Sequence, residues 1–252
     1  VVGSDTNLHY SVVPRGGYMT MMVCGLAVLW MACRISARGR DGDRISLWLY
    51  FAMGVLAGLG WWSNQLVIVF LLAAAAILLI GSRVNRLWAG VVPGLAGFFL
   101  GALPWWLWNF THAWGSFDFA GSFGKVGFDE GMKSFWGQLL ILLEFSPIEA
   151  WWHKARLLLF AVLFLAFLGL MVRDAAKRVH TERFYYQLAL PILAVLMAMI
   201  YATSHYARFE TSRYIMPLIP VAAIMLGVVC SRLLVWRRIP AGVILFAAVL
   251  PS

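Results

Sequence analysis

The chain has 252 residues, of which 62% are hydrophobic and 12% are charged, with 13 Trp and a mean hydropathy of +0.82. Ordinary soluble domains carry roughly a quarter of charged residues, so this composition excludes that class and indicates an all-α polytopic membrane protein. The apolar runs, of about 15 to 22 residues, fit helices that cross a hydrocarbon core of roughly 30 Å. The net charge is +9, but the Lys and Arg residues are concentrated in particular loops. That distribution is explained by membrane topology, so we expect no nucleic-acid partner.

The first three predicted spans lie in the N-terminal third of the chain. An apolar run at 17–33 is followed by a basic loop at 34–44. Residues 45–80 are almost uncharged and must hold two spans. Their only polar break is 61–65, with the sequence WWSNQ. Because Trp is favoured at membrane interfaces, the turn of this hairpin is predicted there.

A fourth span is predicted over 87–108, and its glycines follow the small-xxx-small spacing that lets helices approach closely. These are Gly90, Gly94, Gly97 and Gly101. The polar segment 109–156 comes next and is predicted to be an outer loop, irregular from Gly115 to Gly131. Phe135 to Phe145 is apolar but short, so we expect a helix that lies in the interface and does not cross.

The remaining spans are predicted at 157–172, 184–203 and 214–234, and an eighth apolar run begins at Ile239. The chain starts at Val1 without an initiator Met and stops inside that run. The expectation is a single transmembrane domain over 1–252, with about seven spans and a truncated eighth, that is a fragment of a longer protein.

The distribution of Lys and Arg predicts the orientation of these spans. The short loops at one end of the spans carry 13 Lys and Arg, and the much longer segments at the other end carry 7. The positive-inside rule therefore puts the short loops in the cytoplasm. The long loop 109–156 and the polar stretch before the seventh span would then face outward together.

That polar stretch, 205–220, places ionisable and aromatic side chains between two long apolar runs. Charges near the membrane boundary are costly unless they meet water, a partner or a charged ligand, so they mark a candidate functional site. The alternative is that they are ordinary loop charges and that Arg213 extends to the headgroups. Arg suits phosphate and Trp or Tyr rings suit sugars and isoprenoid chains, which favours a phosphorylated lipid as ligand.

Four stretches, spread in order over most of the chain, together resemble the GT-C membrane glycosyltransferases. The resemblance is to the bacterial branch related to protein O-mannosyltransferases and aminoarabinose transferases. The stretches are Arg15-Gly16-Gly17-Tyr18, residues 54–64 (GVLAGLGWWSN), Leu103-Pro104-Trp105 through Asn109, and residues 212–220 (SRYIMPLIP). The resemblance implies a transferase that uses a polyprenyl-phosphate sugar on the outer side of the cell membrane.

The resemblance also assigns roles to residues. Arg213 and Tyr214 would bind the donor phosphate, with Arg208 and His205 as second choices. Members of the family use an acidic residue in the first outer loop as general base or metal ligand. Asp5 is not assigned that role, so the catalytic acid is unknown and expected upstream of Val1. No metal ligands are assigned, and the participation of a divalent metal stays open.

By the same resemblance Trp61, Trp62 and Asn64 would line the outer cavity that receives the sugar or acceptor, with Asn109 beside it. For the tryptophans the alternative is the interfacial aromatic belt. For Asn109 the alternative is a helix-end cap.

Two other functions fit the same residues. A transporter or flippase of lipid-linked sugars would use the Arg and aromatic groups without chemistry, although the interiors of the spans carry almost no charge. A non-enzymatic membrane scaffold is the third possibility.

Overall fold

The computed structural model describes residues 17–41, 43–82, 84–116, 127–143, 151–176, 182–204 and 212–235. All regular structure in these ranges is helical, and they contain no strand. Two 3₁₀ turns cover Gln65–Val67 and Ser212–Ile215. The helices are α1 Tyr18–Asp41, α2 Leu47–Ser63, α3 Ile68–Gly81, α4 Val84–Gly101, α5 Leu103–Thr111, α6 Phe128–Leu142, α7 Trp151–Ala176, α8 Glu182–Thr203 and α9 Leu218–Val235.

Three of these helices are long and apolar enough to cross a membrane, and a bent pair adds a fourth candidate. The three candidate segments are Tyr18–Gly39, Leu157–Ala176 and Phe184–Thr203. The predicted all-helical membrane class is confirmed at this level. The other apolar helices, Leu47–Ser63, Gln65–Gly81 and Leu218–Val229, are shorter, and the predicted eighth span lies outside the described residues.

The prediction that a loop begins at Arg34 is wrong, because α1 continues to Asp41. Arg is a good helix former, and its long side chain can follow an apolar surface while the charge stays outside. The Arg34 guanidinium lies 5.3 Å from the ring centre of Trp30, one turn earlier on the helix. This cation–π contact stabilises the helical extension.

The predicted fourth span is not one straight helix. α4 ends at Gly101, and α5 leaves it at an angle of 62° after Ala102. Pro104 lies in the first turn of α5, where its missing N–H is tolerated, whereas it would remove a hydrogen bond inside a continuous helix. The break therefore lies where Pro104 favours the start of a new helix.

The close approach predicted for the α4 glycines is confirmed. A Cβ on Gly97 would overlap the carbonyl oxygen of Phe51, and one on Gly101 would overlap that of Val55. The contact is reciprocal, because a Cβ on Gly54 would overlap the carbonyl oxygen of Gly94. α2 and α4 therefore pack backbone against backbone along one seam, which we call the glycine seam.

The main core joins α1, α3 and α8, and it also takes in α6, the second 3₁₀ turn and the start of α9. Its largest fully buried side chains include Phe70 of α3 and Tyr185 and Tyr201 of α8. A second, smaller core joins α7, α8 and α9 through Leu163, Phe167, Leu190, Met225 and Val229.

The helices alternate in direction, so the bundle has two distinct ends. We call one the Asn64 end: α1 starts there beside Ser63, and α8 finishes there beside Gly131 of α6. We call the other the Asp174 end: Gly81 of α3 meets Ser36 and Tyr185 there, and α7 and α9 are joined by an ion pair.

Candidate functional site

Asn64 shapes the turn between α2 and α3. Its side-chain Oδ1 accepts a hydrogen bond from the Leu66 N–H at 2.9 Å. Its own N–H donates to the Gly60 carbonyl at 2.9 Å, and its carbonyl accepts from the Val67 N–H at 3.1 Å. Asn suits such a position because its side chain can replace a backbone acceptor in a turn. The turn predicted at 61–65 is confirmed, although α2 packs mainly on α4, and α3 on α1, rather than the two on each other.

The first two stretches of the family resemblance meet at this turn. Gly17 has φ +66°, a conformation that favours glycine. A Cβ on Gly17 would lie 2.7 Å from the Ser63 carbonyl oxygen, which is too close for a side chain. The start of α1 is therefore fixed against the end of α2 by direct backbone contact.

The two neighbouring tryptophans have different surroundings. The Trp61 ring is half-buried and packs edge-on against Phe98 and Trp105, with ring centres 6.2 and 5.8 Å away. Trp62 is 52% exposed, as expected of an interfacial side chain. Trp61 is therefore positioned by the bundle, and Trp62 is available at its surface.

An aromatic cluster extends from Trp61 over the break between α4 and α5. Trp105 lies 4.8 Å from Trp106 and 6.4 Å from Trp114, measured between ring centres. The indole N–H groups of Trp61 and Trp106 are enclosed and have no hydrogen-bond acceptor among the described residues. The sequence showed the tryptophans but gave no sign that they pack on one another, because that contact depends on the 62° bend.

Asn109 closes the end of α5 from inside the fold, where it is 0% exposed. Its Nδ2 donates to the Trp105 carbonyl at 2.9 Å, and its Oδ1 accepts from the Ser116 hydroxyl at 2.6 Å. The Trp114 N–H donates to its carbonyl at 3.1 Å, in a turn where Ala113 and Trp114 have φ of +49° and +62°. These are the hydrogen bonds of a helix-end cap; a role in the cavity stays a prediction.

Tyr214 is the part of the predicted phosphate site that the structure describes. It lies in the 3₁₀ turn Ser212–Ile215, is 8% exposed and belongs to the main core. The backbone of Arg213 is in the same turn, but its side chain lies outside the described residues. His205 and Arg208 also lie outside them.

α6 packs on the end of α8 and against this 3₁₀ turn. A Cβ on Gly131 would overlap the Ala202 carbonyl oxygen, and the hydroxyls of Ser134 and Tyr201 lie 3.2 Å apart. The ring centres of Phe135 and Tyr201 are 5.9 Å apart. The prediction of loop up to Gly131 is wrong at its end, because α6 starts at Phe128 and ends at Leu142.

The buried face of α6 follows helical spacing, with Gly131, Phe135, Gln138 and Leu142 on one side. This pattern was the available signal for the helix and for its orientation. The helix predicted from Phe135 to Phe145 covers only the second half of α6, because the sequence pattern up to Gly131 indicates a loop, although Gly131 here permits close packing. Asp129 and Glu130 in the first turn also favour a helix start, since they interact well with the helix dipole.

The part of the chain that the structure describes contains no evident metal-binding site. No group of three or more His, Cys, Asp or Glu side chains lies together there. The described site is instead made of aromatic rings, indole N–H groups and amides.

Searches of protein-family descriptions, curated proteins and solved structures found no match to this chain. The resemblance to the GT-C glycosyltransferases therefore rests on the residues quoted above.

Proposed function

We propose that this chain is part of a membrane glycosyltransferase that takes a sugar from a polyprenyl-phosphate donor at the Asn64 end of the bundle. One observation carries the proposal. The four stretches that resemble the family are far apart in sequence, yet Gly17, the Trp61–Asn64 turn, α5 and the Tyr214 turn all lie at this one end.

The donor phosphate would bind at the 3₁₀ turn that carries Arg213 and Tyr214. A guanidinium there would form charge-assisted hydrogen bonds with the phosphate and stabilise the negative charge that develops as the sugar leaves. Arg208 and His205 are the second choices for the same role. The general base is assigned to none of the described residues, and no step is assigned to a metal.

The aromatic cluster supports a sugar- or acceptor-binding role for the same end. Aromatic rings stack well on the apolar faces of sugars, and Trp also offers an N–H donor. Trp61 provides a half-buried ring, although its N–H is enclosed, whereas Trp62 and Asn64 lie at the neighbouring turn. Asn109 would act indirectly, because its hydrogen bonds hold the turn that carries Trp114.

The proposal includes seven spans in the cell membrane, with the Asn64 end outside the cytoplasm. The three long helices, the bent pair and the three shorter apolar helices together give that number. Exposed tryptophans mark both ends: Trp48 and Trp88 near one, and Trp62, Trp108 and Trp136 near the other, as expected for two interfacial belts. α6 would then lie in the outer interface.

A flippase of lipid-linked sugars is the second candidate function. The observation in its favour is the break at Ala102, because interrupted helices line the substrate paths of many transporters. Such a protein would move the lipid-linked sugar across the bilayer and leave its phosphosugar bond intact.

One experiment on the full-length protein separates these functions. Proteoliposomes are loaded with a polyprenyl-phosphate hexose and extracts of cell-envelope acceptors, and the lipids are followed by mass spectrometry. A transferase releases free polyprenyl phosphate in an acceptor-dependent manner. Movement of the intact donor between leaflets without release of polyprenyl phosphate would contradict the proposal and favour the flippase.

A further inference from the structure

The end of α8 is anchored on α6 through Tyr201, which is buried. The Tyr201 carbonyl accepts from both the N–H and the hydroxyl of Ser204, at 3.1 and 2.9 Å. The centre of its ring lies 5.9 Å from that of Phe135, and its hydroxyl lies 3.2 Å from the Ser134 hydroxyl. The residue that closes α8 is therefore also the residue that contacts α6.

Gly131 makes this anchor a contact between backbones. A Cβ at this position would overlap the carbonyl oxygen of Ala202 and lie 2.9 Å from its Cα. α6 can therefore approach the end of α8 this closely only with glycine here. Gly137 lies on the exposed side of α6, and a Cβ there would meet nothing within 4 Å, so the close contact belongs to one face of the helix.

The 3₁₀ turn Ser212–Ile215 is the second element that packs on α6. The side chains of Tyr214, Ile215 and Met216 are buried. They belong to the same hydrophobic core as Phe135 of α6. Among the elements that the structure describes, the turn contacts α6 and, less extensively, α8, so α6 provides much of the packing that holds it.

α6 therefore supports two points that follow one another in the chain. α8 ends at Thr203 and the turn starts at Ser212, and both lie against the same helix. Binding residues on turns and loops depend on a rigid scaffold for their position. Segments with little packing open locally at a low free-energy cost, so the order of this turn depends on whether α6 is in place.

We infer that α6 positions the Ser212–Ile215 turn for donor binding, with Gly131 and Ser134 as positioning residues that do not touch the donor. These two residues seat α6 on α8, and the buried face of α6 then sets where the turn lies relative to α8. A displacement of about 1 Å caused by a distant substitution can cost about 10²-fold in rate. The role in donor binding rests on the proposed function, whereas the ordering of the turn does not.

Hydrogen–deuterium exchange of the purified full-length protein in micelles tests the ordering. Gly131→Val is expected to speed exchange in the peptide 212–219 about 5-fold or more, because release of α6 opens the turn. Ser134→Ala is a milder change, with an expected increase of about 2-fold. Gly137→Val is the matched control, with exchange at the wild-type rate. In all three variants the reference peptide 61–68 should exchange as in the wild type.

Three results would overturn the ordering of the turn by α6. The first is wild-type exchange of 212–219 in both Gly131→Val and Ser134→Ala. The second is an equal increase in the control Gly137→Val, and the third is an equal increase in the reference peptide 61–68, since both would show that the effect is not specific to this contact.

Donor turnover measures the consequence for the proposed function. With equal amounts of inserted protein, Gly131→Val is expected to lower kcat/KM for a polyprenyl-phosphate hexose about 10-fold or more. The KM for the donor should rise while the KM for the acceptor stays constant. Wild-type kinetics of Gly131→Val despite faster exchange of the turn would overturn the positioning role. If the wild-type protein releases no polyprenyl phosphate, the proposed function fails, and the exchange experiment still decides whether α6 orders the turn.

Discussion

The glycine seam and α7 use similar apolar sequences and pack in opposite ways. Along the seam, glycines of α2 and α4 bring the two backbones into direct contact. α7 is longer, and its apolar segment Leu157–Ala176 has a mean hydropathy of 2.2. It is nevertheless held by a narrow stripe around Leu163 and Phe167, and a Cβ on Gly169 would meet nothing within 4 Å. The difference lies in where small residues repeat, since apolarity alone gives no preference for protein over lipid.

The same comparison distinguishes the helices that carry the candidate site from α7. The seam holds α2 and α4 rigidly below Trp61 and the aromatic cluster, and it therefore fixes the part of the site that they carry. α7 enters no described part of the Asn64 site, and its weak packing leaves its surface free for lipid.

Gly97→Leu is expected to have the largest effect, because the new side chain would overlap the backbone of Phe51 and Val55. Separation of α2 from α4 should lower the Tm in detergent by 10 °C or so, equivalent to roughly 3 kcal/mol or more. Gly169→Leu is the matched control, with an expected change of roughly 1 °C. Equal effects of the two substitutions on thermal unfolding would remove the distinction between seam and α7.

Phe167→Ala tests the narrow stripe that anchors α7. Because lipid replaces water as the alternative surroundings, only the packing part of the usual cost applies, on the order of 1–3 kcal/mol. The exposed neighbour Leu165→Ala should have almost no effect. Thermal unfolding measures both, and a larger loss for Leu165→Ala would mean that the outer face of α7 is covered by protein.

Gly131→Val tests whether close packing of α6, like that of α2 and α4, depends on a glycine. The valine would overlap the Ala202 carbonyl and is expected to release α6 locally, with a smaller change in the Tm, about 1 kcal/mol. Limited proteolysis should then cut α6 at least several-fold faster. Gly137→Val, on the open side of the same helix, should be cut at the wild-type rate. Faster cutting of this control would mean that valine acts only by lowering the helix propensity of α6.

Ser134→Ala is the smallest of these changes. It removes the contact with the Tyr201 hydroxyl, which is worth about 0.5–1.5 kcal/mol. Tyr201→Phe should have the same effect, and the double variant should add little more. Additive losses in thermal unfolding would show that the two hydroxyls do not act as a pair.

The sequence was informative wherever a local preference decides the structure. The turn at Asn64 follows from a polar break with a turn-forming side chain, and the approach of α4 to another helix follows from its glycine spacing. It did not show the partner of α4, because hydropathy does not distinguish a face that meets protein from one that meets lipid.

The parts that were missed depend on contacts between distant residues. Trp105, just after the bend at Ala102, packs on Trp61, and α6 packs with Gly131 opposite Ala202. For the candidate site, the tryptophans and Tyr214 could be named from the sequence. The cap formed by Asn109 and the enclosed N–H groups of Trp61 and Trp106 appear only in the folded chain.

The most direct test of the proposed function is donor turnover by the Arg213→Ala variant of the full-length protein, measured as polyprenyl phosphate released in membranes with equal amounts of inserted protein. Loss of a single catalytic hydrogen-bond donor of this kind costs about 10²–10³ in rate. We expect a loss of at least that size for Arg213→Ala and wild-type release for Arg38→Ala, an exposed cation at the Asp174 end. Wild-type release by Arg213→Ala would contradict the account, because the donor phosphate would then not bind at the Tyr214 turn.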